Sequence, residues 1–418
     1  MDSLRVTSGY VPRAWSRAEQ AARASYGRLL AIVAEQTGDI EFAEDCLGEA
    51  FAQALESWPD SGVPANPEGW LVTVARNRHR DVLKSAGHRR SAPLEAAVDA
   101  PVAAMTALDP DEIPDRRLAL LFVCAHPAVD PSIRAPLMLQ TVLGFEAKEV
   151  ARAFTVRAAT MAQRLVRVKR RIKEARIPFA LPGRPQMPAR LGAVIEAVYG
   201  AYAIDWTLVS GETMRASLAT EAHYLAVTLA DLLPEEPEVL GLAALLSLSL
   251  ARADARTRAG EFVPLHQQDP SLWDAELIDQ GERFLRRARP LGRIGRFQLE
   301  AAIQSAHCDR AHSGAVDWSA VLVLYQGLLA VAPTLGARVA HAAALARVSG
   351  AHAGLAALDQ IEDPSVKRFQ PAWATRAHLL SEAGRWPEAA AAYDKAISLT
   401  TEVDLRTFLT VRRDGLPI

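Results

Sequence analysis

The chain has 418 residues, half of them apolar and 23% charged, with a formal net charge of −2. At roughly 100–200 residues per domain this length allows two to four domains, and the composition excludes a disordered or collagen-like chain. No stretch reaches the ~18 apolar residues of a membrane span, and Met1 to Tyr10 holds no apolar signal core, so a cytoplasmic protein without a membrane partner is expected.

Ala, Leu and Arg dominate while β-branched and aromatic runs are scarce, which predicts an all-α fold. Cys46, Cys124 and Cys308 are odd in number, far apart and without C-x-x-C spacing. They read as buried small apolar residues rather than disulfides or zinc ligands, and no cofactor or metal is expected. Charge is segregated: Glu35 to Ser57 carries seven acids and no Lys or Arg. Arg76 to Arg90 carries six basic residues against one acid, and Val156 to Arg176 eight against one. Two compact basic segments in a nearly neutral chain are the footprint of phosphate contact.

The first helical domain is predicted over residues 16–88. Its acidic segment, DIEFAEDCLGEAFAQALESW, places Ala43, Cys46/Leu47, Ala50/Phe51 and Ala54/Leu55 at helical period. After a turn-rich connector, Asn66 and Pro67 read as an N-cap with proline at the first helical position. The helix they open buries Leu71, Val74/Ala75 and Val82 and presents Arg76, Asn77, Arg80 and Lys84. Residues 89–112 show no sustained period and read as a linker.

A second helical domain is predicted over 113–176. Gly144 ends one helix, a short helix runs from Glu146 to Ala153, Thr155 and Val156 turn, and a long helix starts near Arg157. In it Met161, Leu165, Val168 and Ile172 form one apolar stripe, with Thr160, Gln163, Arg164, Arg167 and Arg171 outside it. An apolar side seated on a partner and a free hydrogen-bonding side suit a helix that reads the major groove. The basic tail from Lys169 to Lys173 suits phosphate contact.

Prolines 178, 182, 185 and 188 make residues 177–188 a stiff connector. Everything after it, residues 189–418, reads as helical, and VLGLAALLSLSLA as fully buried. Trp318 and Trp386 are 68 residues apart, as are Tyr325 and Tyr393, and Gly350 and Gly384 are 34 apart. These are multiples of the tetratricopeptide period. The copy ending in AHLLSEAGRWPEAAAAYDKAISL resembles that repeat, while the middle copy has His352 and Asp359 where aromatics would sit.

The segment from Gly144 to Lys169 resembles domain four of extracytoplasmic-function (ECF) RNA polymerase sigma factors, at Gly144, Glu149, Ala151, Val156, Thr160, Arg164, Leu165 and Arg167. It departs at Ala162 and Gln163, where Lys and Ser are usual. The acidic segment resembles the domain-two helix D-A-E-D-x-x-Q-E-x-F-x-x-A-x-x-x-W, and PEGWLVTVARNRHRDVLK resembles W-L-x-x-I-A-R-N-x-x-x-D-x-x-R at Trp70, Leu71, Ala75, Arg76, Asn77 and Asp81. The chain is similar to the sigma subgroup with a tetratricopeptide-like, DUF6596-type extension. The resemblance implies no catalysis, and core RNA polymerase (its β′ clamp helices and β flap) and promoter DNA as partners. It implies polymerase contact through Asp39, Glu44, Asp45, Glu49 and Phe51. A −10 contact would use Arg76, Asn77, Arg80 and Lys84, and a −35 contact Arg157, Thr160, Gln163, Arg164, Arg167 and Arg171. Trp70 reads either as core or as a base-stacking residue. The C-terminal domain is expected to regulate, by masking domain two or through a protein partner. The rival reading is a stand-alone helix-turn-helix regulator with protein-binding repeats. An enzyme is disfavoured, since the sequence holds no Gly-rich phosphate loop, H-E-x-x-H or nucleophile motif.

Overall fold

The computed structural model describes residues 26–88, 116–154, 156–175, 177, 182–206, 215–258, 261–400 and 402–417. The linker 89–112 and the start of the first domain, residues 16–25, lie outside them. Among the described residues the fold is all-α apart from one two-stranded antiparallel ribbon, β1 (Thr257–Arg258) with β2 (Glu261–Phe262). The chain divides into two compact units between Ala201 and Tyr202.

In the first unit α1 is described over residues 26–37, and α2 (Ile40–Ser61) follows a turn in which Gly38 takes a left-handed φ of 64°. The Asp39 carboxylate caps α2 by accepting from the Phe42 N–H at 3.3 Å. Asn66 Oδ1 accepts from the Gly69 N–H at 2.9 Å and opens α3 (Pro67–His88), as its Asn-Pro start predicts. These three helices enclose a core in which Leu29, Leu30, Leu47, Trp58 and Leu71 are almost wholly buried.

Next come α4 (Arg116–Cys124), α5 (Pro131–Thr141), α6 (Ala147–Ala153) and α7 (Ala158–Glu174). Gly144, at φ 74°, turns the chain between α5 and α6, a conformation that favours glycine. Glu146 and Glu149 form a reciprocal capping box at the start of α6, which gives a seven-residue helix a firm beginning. The α7 stripe of Met161, Leu165, Val168 and Ile172 is buried as its 4-3-4 spacing requires. The front of α8 (Pro188–Trp206) also belongs to this unit. Arg190 donates to the Phe122 carbonyl at 3.1 Å, and Gly200 lies against Leu139.

The second unit contains α9 (Arg215–Leu232) and is centred on α10 (Pro237–Leu250), buried on every side among α9, α11 (Ala275–Ala288) and α12 (Arg296–Cys308). Gly241 lets α12 approach closely, since a Cβ there would press on the Gln298 backbone. The Glu238 carboxylate accepts from the Phe297 N–H at 3.0 Å and so caps α12, which lacks a cap of its own. After the one-turn α13 (Arg310–Ser313), six helices pack each on the next: α14 (Trp318–Val331), α15 (Leu335–Ser349), α16 (Ala351–Asp359), α17 (Gln370–Glu382), α18 (Trp386–Leu399) and α19 (Val403–Asp414). Gly350 and Gly384 turn between helices at φ 88° and 71°. Ala389, Tyr393 and Ala396 are buried, whereas Asp359, at the equivalent position of the degenerate copy, is exposed and paired with Arg376 at 2.5 Å. Cys46, Cys124 and Cys308 are all buried and unbridged.

Candidate functional site

The acidic helix α2 divides its charges between two sides. With about 100° of turn per residue, Glu44 and Phe51 share one flank of the buried seam, and Asp45 and Glu49 face solvent. Asp39 stands apart at the cap. Phe51 is half-buried and stacks on Tyr26, ring centroids 6.5 Å apart. Glu49 pairs with Arg78 of α3 at 2.5 Å. The five residues expected to meet polymerase therefore lie on one helix but not on one surface.

On α3 the spacing of Arg76 and Arg80 keeps them on one side, with Asn77 beside them and Lys84 a further turn along. Asn77 and Arg80 are exposed; Arg76 is half-buried, and its Nε donates to Gln36 Oε1 of α1 at 2.9 Å. Trp70 packs edge-on against Trp58 within the core cluster, so it takes the core position of its two sequence readings.

Helix α7 shows three sides. The apolar stripe faces its own helices. Arg157, Thr160, Gln163, Arg164, Arg167 and Arg171 are all exposed on one side of that stripe. Lys169 and Lys173 stand on the other and both meet acids, Lys169 nearly enclosed and Lys173 still exposed. Lys169 Nζ donates to both Glu44 carboxylate oxygens at 2.7 Å, and Lys173 Nζ meets Asp39 Oδ2 at 2.8 Å. The Asp39 hydrogen bond raises the Lys173 ammonium above the ordinary lysine range. Burial pushes the Glu44 carboxyl up, and the attraction of Lys169 only partly offsets it. Cys124 lies close to the same pair, its thiol pushed up to about 12 by burial. A signal for this was present in α7: every Lys falls on one flank, i to i+4, and the arginines at 164, 167 and 171 on the other.

Among the described residues no cluster of His, Cys, Asp or Glu is arranged to hold a metal, and no helix is long and apolar enough to cross a membrane. His126 Nδ1 accepts from the Ala128 N–H at 3.1 Å, a turn contact.

Residues 21–89, which include α2 and α3, match the family described as sigma-70 region 2. Residues 190–289 match DUF6596, described as a family of unknown function. An uncharacterized protein of Rhizobium meliloti (strain 1021) is 33% identical over 384 residues, 90% of each chain. The probable ECF RNA polymerase sigma factor SigI of Mycobacterium tuberculosis is 31% identical over 181 residues, covering 42% of this chain and 60% of the relative. No solved structure matches the chain. With a sigma-70 region 2 in front of a DUF6596 domain, 33% identity to the Rhizobium meliloti protein over nine-tenths of the chain and similarity to SigI, the chain belongs to the ECF sigma factors of the sigma-70 family that carry a DUF6596 extension.

Proposed function

We propose that this chain is an alternative sigma factor that binds core RNA polymerase, recognises −10 and −35 promoter elements and starts transcription, without catalysing a reaction itself. The observation that carries this reading is the sigma-70 region 2 match on a bundle whose acidic helix α2 lies beside the basic helix α3. In this reading residues 16–88 form domain two, with α2 docking on the β′ clamp helices. Arg76, Asn77, Arg80 and Lys84 of α3 serve the −10 element, where a base must be held after unstacking. Residues 113–176 form domain four, which meets the β flap. Its helix-turn-helix pair, α6 and α7, turns the exposed side of α7 towards the −35 major groove. Residues 89–112 thread between the two domains, 177–188 connect, and 189–418 form a tetratricopeptide-like regulatory domain with a protein partner. Such a protein works in the cytoplasm.

Run-off transcription with core polymerase on genomic fragments, with start-site mapping, tests it. The expected result is initiation at a common pair of upstream elements that depends on this chain. Tight duplex binding that core polymerase does not alter, with no start sites, would support the stand-alone regulator instead.

A further inference from the structure

Two contacts inside the first unit join α7 to the acidic helix α2, and a third joins α1 to the α5 end. Lys169 and Glu44 are the most enclosed pair, with only 10% and 22% of their side chains exposed. Lys173 reaches the Asp39 cap at the end of the same helix. The third contact is backbone to backbone: Gly27 of α1 lies so close to the α5 end that a Cβ added to it would overlap the Val142 carbonyl oxygen. Glycine is thus what permits α1 to dock there. The domain-four helices thereby cover the flank that carries Glu44, while the Arg and Gln side of α7 stays open.

We propose that the first unit is self-locked: α7 closes over the polymerase-docking flank of α2 while the α5 end docks on α1, and core polymerase gains that flank only when the Lys169–Glu44 and Lys173–Asp39 pairs separate. The proposal rests on the reading of α2 as the docking helix. The inventory of charges suits a lock that opens. Burial raises the Glu44 carboxyl against the attraction of Lys169, and separation restores hydration to the carboxylate. The close approach of Gly27 to Val142 adds a packing contact to the two ion pairs. The same lysine flank would have to be released for phosphate contact, so polymerase docking and full DNA affinity are gained together. A closed chain withholds its lysine flank from phosphates, so free sigma binds promoters more weakly than loaded sigma.

The test uses the full-length chain and core polymerase. A zero-length carbodiimide joins only carboxylates and amines in direct contact, and peptide mapping reads the Lys169–Glu44 link. The wild-type chain is expected to give that link when free and to lose it when bound to core. Two variants open the lock by different routes: Gly27→Leu by overlap, and Lys169→Glu by placing an acid against Glu44. Each is expected to bind core about tenfold more tightly than wild type, within the range of typical coupling between sites. Circular dichroism identifies a Gly27→Leu chain that has lost its fold, and Lys169→Glu then carries the test. A link that persists in the complex overturns the lock, as does equal core affinity of wild type and Lys169→Glu, while leaving the sigma reading intact. If no form of the chain binds core, the reading of α2 fails and the lock fails with it.

Discussion

The indole of Trp70 stands edge-on to that of Trp58, with ring centroids 5.5 Å apart and planes inclined at 63°. Trp58, near the end of α2, is 2% exposed, and Trp70 lies in the first turn of α3, so this pair sets how the acidic helix meets the basic one. Edge-to-face aromatic pairs add about 0.5–1.5 kcal/mol beyond the area they bury. Trp70→Ala is therefore expected to destabilise the first unit by about 3 kcal/mol, seen as a lower urea midpoint. Trp70→Phe should recover most of the stability together with transcription. An alanine variant of unchanged stability that fails only to open promoters would return Trp70 to a base-stacking role.

The exposed side of α7 separates two kinds of contact. Gln163 and Arg164 lie nearer the N-terminal end of the helix, where base edges are read, and Arg171 lies in the last turn. Gln163→Ala and Arg164→Ala are expected to cost about 1–3 kcal/mol of promoter affinity and to relax preference at particular base pairs. Arg171→Ala should weaken all sequences alike and reduce the salt dependence by about one charge. Since all three side chains are exposed, unfolding midpoints should hardly move. Anisotropy titrations of the polymerase-bound chain at two salt concentrations, on native and substituted promoters, resolve the two patterns.

What could be read in the sequence was local. Met161, Leu165, Val168 and Ile172 announce their helix face because one apolar stripe at 4-3-4 spacing has one way to be buried. Asn66 with Pro67 announces a helix start because the cap and the fixed φ act within three residues. The Lys169–Glu44 pair spans 125 positions, and no local periodicity links one helix flank to another at that separation. The basic tail from Lys169 to Lys173 suits phosphate contact on its own helix. Nothing local to it registers that α2 presents acids to its lysine flank. The five acidic-helix residues illustrate the same limit: a shared helix was legible, but which of its sides was covered depended on α7 and on Gly27.

His307 supplies a pH response in the second unit. Its ring packs edge-on to Trp318 at 5.5 Å, and burial, then Arg252 and Arg310, lower its pKa to about 4. The folded chain keeps His307 neutral, while in the unfolded chain it takes up a proton below its ordinary value of 6.5. Stability from this residue is thus fully present above pH 6.5 and is lost as pH falls towards 4, up to about 3 kcal/mol at 1.36 kcal/mol per unit. His223, lowered by burial, acts in the same direction. Urea unfolding at pH 7.5 and 4.5 should show a smaller acid loss in His307→Gln than in wild type. Equal losses would mean that His307 is protonated in the folded chain.

The place at which the tail is removed decides what a truncation reports. The front of α8 packs on α4 and α5 through the Arg190 bond to the Phe122 carbonyl and through Gly200 on Leu139, and Met187 just before it is fully buried. A chain ending within the proline-rich stretch, after Ala180, loses those contacts and uncovers Leu139, which is 1% exposed in the full chain. It is expected to unfold at lower urea than a chain ending after Trp206, which keeps α8 whole. Loss of transcription in the shorter chain would then report damage to the first unit rather than absence of the regulatory domain. The chain ending after Trp206 is the informative comparison: a changed level of promoter-driven transcription, relative to full length at equal concentration, measures what the second unit contributes. Equal levels from the two would leave that unit without a regulatory part in initiation.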